Sequence, residues 1–137
     1  MKILSILVAT TLLSASIIHF YWAWGGAFGL SSAIPKIVGS KDFKPPTWAT
    51  FLVAMLLLSL AFLSILLSWS DQIVIPYISL VGYLVSAVFI IRSIGDFKYV
   101  GFLKKVYNSR FAKLDTLYFS PLILLLGISF GILSKFG

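Results

Sequence analysis

The side chains able to do proton, ligand or anion chemistry are few: one histidine, His19, and four aspartates, Asp42, Asp71, Asp96 and Asp115, with no glutamate and no cysteine among 137 residues. Thiol chemistry and thiolate metal sites are excluded. The His and Asp spacing matches no zinc, di-iron or haem motif, so neither a metal nor another cofactor is expected. His19 has an unperturbed pKa of about 6.5, which suits a general base or ligand donor, with Asp96 or Asp115 as the orienting carboxylate. Arg92 could pair with Asp96 at i+4 if a helix continues between them. An arginine inside a bilayer costs about 2.5–3.5 kcal/mol, so it must snorkel, pair or bind an anion. Trp22 and Trp24 beside His19, and Tyr118 after Asp115, supply faces for an amphiphile. The plainer alternatives are an interfacial imidazole bonded to a carbonyl and an arginine that only snorkels. Asp42 and Asp71 read as ordinary loop charges.

The elements that must position these residues follow from composition. The chain is 60% hydrophobic, 16% aromatic and 11% charged, with a mean hydropathy of +1.05, whereas a soluble domain carries about 25% charged residues. A soluble domain, a disordered chain and a disulfide scaffold are thereby excluded. A spanning helix needs roughly 20 apolar residues, and four runs qualify, about 3–24, 47–70, 73–92 (closed by Arg92) and 116–134. Continuous apolarity over 51–67 and 121–133 does not fit outer-membrane strands. The expectation is an all-α, polytopic membrane protein. It is a single transmembrane domain over 1–137, a four-helix bundle with short interfacial helices in its two long loops.

Ser14, Ala15 and Ser16 after an apolar stretch imitate a signal-peptide cleavage site, but the run continues through His19 to Trp22 and reads as a first span. Nine of the eleven basic residues, Lys36, Lys41, Lys44, Arg92, Lys98, Lys104, Lys105, Arg110 and Lys113, fall in the two long loops or at their edges. Those loops are therefore expected on the cytoplasmic side and both termini outside. His19 then lies about 7 Å below the cytoplasmic interface by helical rise. The net charge of +7 is a topology signal, and no nucleic-acid partner is expected.

The loop 25–46 combines Gly25, Gly26, Gly29 and Pro35 with a stiff Pro45-Pro46 pair and Trp48 as an interfacial anchor. In the second loop, Tyr99, Phe102, Leu103, Val106 and Tyr107 recur at helical spacing with Lys98, Lys104 and Lys105 elsewhere. That spacing predicts a short basic amphipathic helix in the head-group plane. Ser109 or Asp115 could cap the following helix, and Pro121 is either an N1 residue or a kink. Small residues at four-residue spacing, Ser5/Ala9, Ser64/Ser68, Gly82/Ser86 and Gly127/Gly131, suit close helix contacts within one bundle or across a homodimer.

The strings His19-Phe20-Tyr21-Trp22-Ala23-Trp24-Gly25-Gly26 and Ile34-Pro35 carry a resemblance. So does the run from Arg92 to Phe102, R-S-I-G-D-F-K-Y-V-G-F, followed by Phe111-Ala112-Lys113-Leu114-Asp115-Thr116 and Tyr118-Phe119-Ser120-Pro121-Leu122. Together they resemble the bacterial membrane-protein family called domain of unknown function 3995, over nearly the whole chain; Leu103 stands where phenylalanine is expected. The resemblance implies a small four-helix bacterial membrane protein, for which the cytoplasmic membrane is the expected location, and groups His19, Trp22, Arg92, Asp96 and Asp115. It implies no activity. Four functions remain open: binding of a lipid-like or anionic amphiphile at the cytoplasmic interface, a membrane enzyme acting on a lipid or isoprenoid with His19 as base, an oligomeric transporter or channel, and an accessory protein that stabilises a larger complex. Membrane lipids are the expected partners. Binding would rest on Arg92, Trp22, Trp24 and Tyr118, and catalysis on His19, Asp96 and Asp115.

Overall fold

The computed structural model describes residues 1–35, 44–69 and 75–137. Lys36, Lys41, Asp42 and Asp71 lie outside the described residues, as do the start of the third expected span and most of the turn before it. The described helices are α1 (Lys2–Ala23), α2 (Leu30–Ala33), α3 (Thr47–Ser68), α4 (Ile78–Ile94) and α5 (Arg110–Phe136). No strand occurs among the described residues. α1, α3 and α5 are long and apolar enough to cross a membrane, reaching about 33, 33 and 40 Å at 1.5 Å per residue. α4 is apolar but shorter, with 17 residues. It begins at Ile78 rather than near 73 because Pro76 disfavours helix at the residue before it and Tyr77 takes a left-handed φ of 63°.

α5 begins six residues earlier than expected. Ser109 caps it by accepting the Ala112 N–H at 3.0 Å, which brings Asp115 inside the helix. Its backbone is π-helical over Asp115–Phe119 and α-helical from Ser120 onward. Pro121 accounts for the change. Proline has no N–H to give the carbonyl four residues back, and the wider turn relieves the clash its ring would make there.

α1 pairs antiparallel with α3, and α4 with α5. Serines tie each pair through direct hydrogen bonds. Ser5 Oγ donates to Ser68 Oγ at 2.9 Å, Ser16 Oγ to the Ala54 carbonyl at 2.7 Å, and Ser86 Oγ to the Gly127 carbonyl at 2.6 Å. Gly127 lies directly against Ile90 and Phe89, and Gly82 against Ser134 and Leu67. The small residues legible in the sequence are thus used within this chain. The shared apolar core of Val8, Leu12, Leu60, Ala61, Leu67, Ile78, Leu126, Phe130 and Leu133 occupies the half of the bundle nearest the termini. At the opposite, loop-side end, α2 packs on the first turn of α5.

The amphipathic helix expected over 99–107 does not form. Gly95 and Gly101 have φ of 101° and 87°, Phe97 has φ of 62°, and the segment runs in turns. The two glycines touch back to back, and a Cβ on either would strike backbone. The chain therefore folds back on the end of α4. Phe102 and Leu103 donate their N–H groups to the Ser93 and Ile94 carbonyls at 2.9 and 3.2 Å, satisfying acceptors that a helix C-terminus otherwise leaves open.

Candidate functional site

The folded-back loop, the end of α4 and the π turn of α5 meet at one carboxylate. Asp115 is fully buried. Its Oδ2 accepts the Gly101 N–H at 2.8 Å and the Lys104 ammonium at 3.0 Å, and its Oδ1 accepts from Arg92 Nη2 at 3.5 Å. Lys104 is buried as deeply. Its Nζ donates also to the Gly101 carbonyl at 2.9 Å and to Thr116 Oγ1 at 2.6 Å, so all three of its protons have acceptors. Thr116 passes its own proton to the Ala112 carbonyl at 3.2 Å. Lys104 thus fastens the loop to α5.

Arg92 is held far less firmly. Its side chain is 36% exposed, its one contact with Asp115 is long, and Nη1 is buried without a partner. The buried cluster places two cations on one carboxylate. Asp96 also acts electrostatically on Arg92, but from an exposed position that water screens.

The predicted Arg92–Asp96 pair is replaced by Arg92–Asp115. α4 stops at Gly95, so the i+4 geometry the pairing needed is absent. Asp96 instead organises the turn, its Oδ1 accepting the N–H groups of Lys98, Tyr99 and Val100 at 2.9, 2.7 and 3.0 Å. Desolvation, the largest single influence, acts to raise its pKa. The three N–H groups and the Arg92 charge outweigh that effect and hold the carboxyl below the ordinary aspartate value.

His19 stands apart from these carboxylates. Its Nδ1 donates to the Ala15 carbonyl at 2.8 Å, and its ring meets that of Trp22 edge-on at 5.0 Å. A carbonyl only accepts, so the proton is on Nδ1. Among the described residues no carboxylate contacts this ring, and its orienting partner is the Ala15 carbonyl rather than Asp96 or Asp115. Trp22 Nε1 donates to the Phe28 carbonyl at 2.8 Å. Trp24 is 81% exposed, stacks on Phe20, and walls an open groove of about 690 Å³ with Ala23, Thr47, Trp48, Phe51 and Leu52. Tyr118 is exposed and joins no cluster among the described residues. The structure therefore gathers Arg92 and Asp115, sets Asp96 beside them, and leaves His19, Trp22, Trp24 and Tyr118 outside.

Sequence reasoning missed Lys104, Gly101, Thr116 and Ser120. The available signal was the glycine pair bracketing Asp96, which marks a chain reversal rather than a helix.

Residues 12–130, which include every residue of this cluster, match the family described as Protein of unknown function (DUF3995). The chain belongs to that family. The R-S-I-G-D-F-K-Y-V-G-F segment of this chain thereby acquires a physical reading. Its glycines make the reversal, its aspartate ties the turn, and its arginine meets the aspartate of the F-A-x-x-D-T segment. No curated protein and no solved structure matches the chain.

Proposed function

We propose that this family member is a four-span protein of the bacterial cytoplasmic membrane that holds the anionic head group of an amphiphile at its loop-side end, with Arg92 as the anion contact. The observation that carries the reading is the state of that guanidinium. It is partly exposed, tied to Asp115 by one long bond, and has Nη1 unpartnered beside a buried lysine that already claims the same carboxylate. A guanidinium in such a setting is suited to bidentate recognition of phosphate or carboxylate. Asp115 positions Arg92, the role the sequence had offered to Asp96. The aromatic groove at Trp24 lies at the same end and suits an apolar tail. Lys44, Lys98, Lys105, Arg110 and Lys113 share that end while Lys2 and Lys135 mark the other, which supports placing the loops in the cytoplasm and both termini outside.

Native lipid analysis of purified protein tests the proposal. Wild type should retain anionic lipid in excess of its share of the membrane, and Arg92→Gln should lose that excess. Equal profiles for the two proteins would overturn it.

A further inference from the structure

Two buried polar atoms among the described residues have no hydrogen-bond partner, Arg92 Nη1 and Ser120 Oγ, and both belong to neighbours of Asp115. Arg92 reaches Asp115 from α4, and Ser120 follows it by one π turn, its N–H donating to the Asp115 carbonyl. Ser120 is completely buried. Other serines of this chain escape the cost of burial by donating to a carbonyl three or four residues back, as Ser64, Ser93 and Ser134 do. Ser120 sits at the end of the π turn and makes no such bond. Its hydroxyl is thus desolvated without return, on a helix face one turn deeper in the bundle than the Arg92–Asp115 contact.

We infer that Arg92 and Ser120 form a two-point site for an ester-linked anionic lipid. Arg92 takes the oxyanion, and Ser120 Oγ donates to a neutral carbonyl oxygen about one helical turn, roughly 5 Å, nearer the tail. This rests on the reading of Arg92 proposed above and deepens it by naming the ligand class. An oxyanion carried directly on a hydrocarbon chain offers no acceptor at that depth, whereas an acyl ester of glycerol phosphate does. Both protein atoms are shut from solvent, and the Arg92 side chain is the exposed member of the cluster.

The test uses the full chain in zwitterionic nanodiscs, titrated with phosphatidylglycerol in ester-linked and ether-linked forms, which differ in the carbonyl oxygens. Wild type should bind the ester form about five- to tenfold more tightly, the worth of one hydrogen bond. Ser120→Ala should abolish that preference while keeping the preference for anionic over zwitterionic lipid. In the absence of anionic lipid, Ser120→Ala should leave the melting temperature unchanged or raise it, because the hydroxyl has no partner to lose. No ester preference in wild type, an undiminished one in Ser120→Ala, or a lower melting temperature for that variant overturns the inference. If Arg92→Gln still loses anionic lipid in those cases, the Arg92 reading survives alone. If Arg92→Gln binds as wild type does, both fall together.

Discussion

In the half of the bundle nearest the termini, the buried side chains are apolar, among them Val8, Leu12, Leu60, Leu67, Ile78, Leu126, Phe130 and Leu133, or uncharged serines, Ser5, Ser64, Ser68 and Ser134. In the loop-side half, buried Ser16, Thr50, Ala54, Ser93, Ser109, Phe111, Ala112 and Ser120 are joined by two charged side chains, Lys104 and Asp115. With Ile78 from α4, the apolar members of the first set pack α1, α3, α4 and α5 through dispersion contacts that a lipid tail could nearly reproduce, beside uncharged serine bonds such as Ser5 to Ser68. The second uses directional bonds, and its ionic part joins three separate stretches of chain at one carboxylate. The difference teaches where specificity resides. A membrane bundle can be held together by shape at one end, while a buried charge at the other end fixes a loop in one conformation, because every alternative leaves that charge unpaired.

The largest effect separating the halves should come from unpairing that charge. Asp115→Asn leaves the Lys104 ammonium buried without its counter-ion and should destabilise the protein by about 3–5 kcal/mol. Replacing both partners, with Lys104→Met and Asp115→Leu together, should recover much of the loss. Thermal unfolding in detergent measures both, and a double variant as unstable as the sum of its parts would contradict the ion-pair account. Next comes Gly95→Ala. Its Cβ would be driven into the Val100 carbonyl at a left-handed φ, at a cost of about 2–3 kcal/mol. The effect should appear as rapid proteolysis within 95–109, with the spans still protected.

In the apolar half, Leu12→Ala should cost about 2 kcal/mol, the low end for such truncations, because lipid removes the water-transfer part of the penalty and leaves the lost packing. A larger loss than for Asp115→Asn in the same unfolding assay would reverse the proposed ranking of the two halves. The smallest effect concerns pH. Asp96 has a lowered pKa in the folded loop, so its contribution is complete above the unfolded aspartate value of about 4 and is lost as pH falls through the folded value. Amide exchange at Lys98, Tyr99 and Val100 should therefore accelerate in that acidic window and not above it, and Asp96→Asn should flatten the dependence.

Much of this contrast is legible in the amino-acid sequence. The uncharged runs give the long helices because hydrocarbon forces backbone groups to pair within a segment, and Ser5, Ser64, Ser86 and Gly127 announced close helix contacts. Arg92 and Asp115 were both legible as candidates. Their partnership was not, since it depends on α4 stopping at Gly95 and on α5 starting early enough to carry Asp115 inward. Lys104 was hidden for a related reason. Adjacent to Lys105 and among aromatic residues at helical spacing, it read as surface, and only the reversal made by Gly95 and Gly101 turns it inside. Periodicity describes faces of regular elements and carries no information about a chain that folds back on itself.

The chain contains two arginines, Arg92 and the exposed Arg110, so guanidinium NMR of arginine-labelled protein in zwitterionic nanodiscs reads the central claim directly. On titration with phosphatidylglycerol, the Arg92 signals should shift and saturate at low lipid fraction while those of Arg110 drift without saturating. Equal, unsaturable responses from the two would show that Arg92 is only another cation at a charged surface.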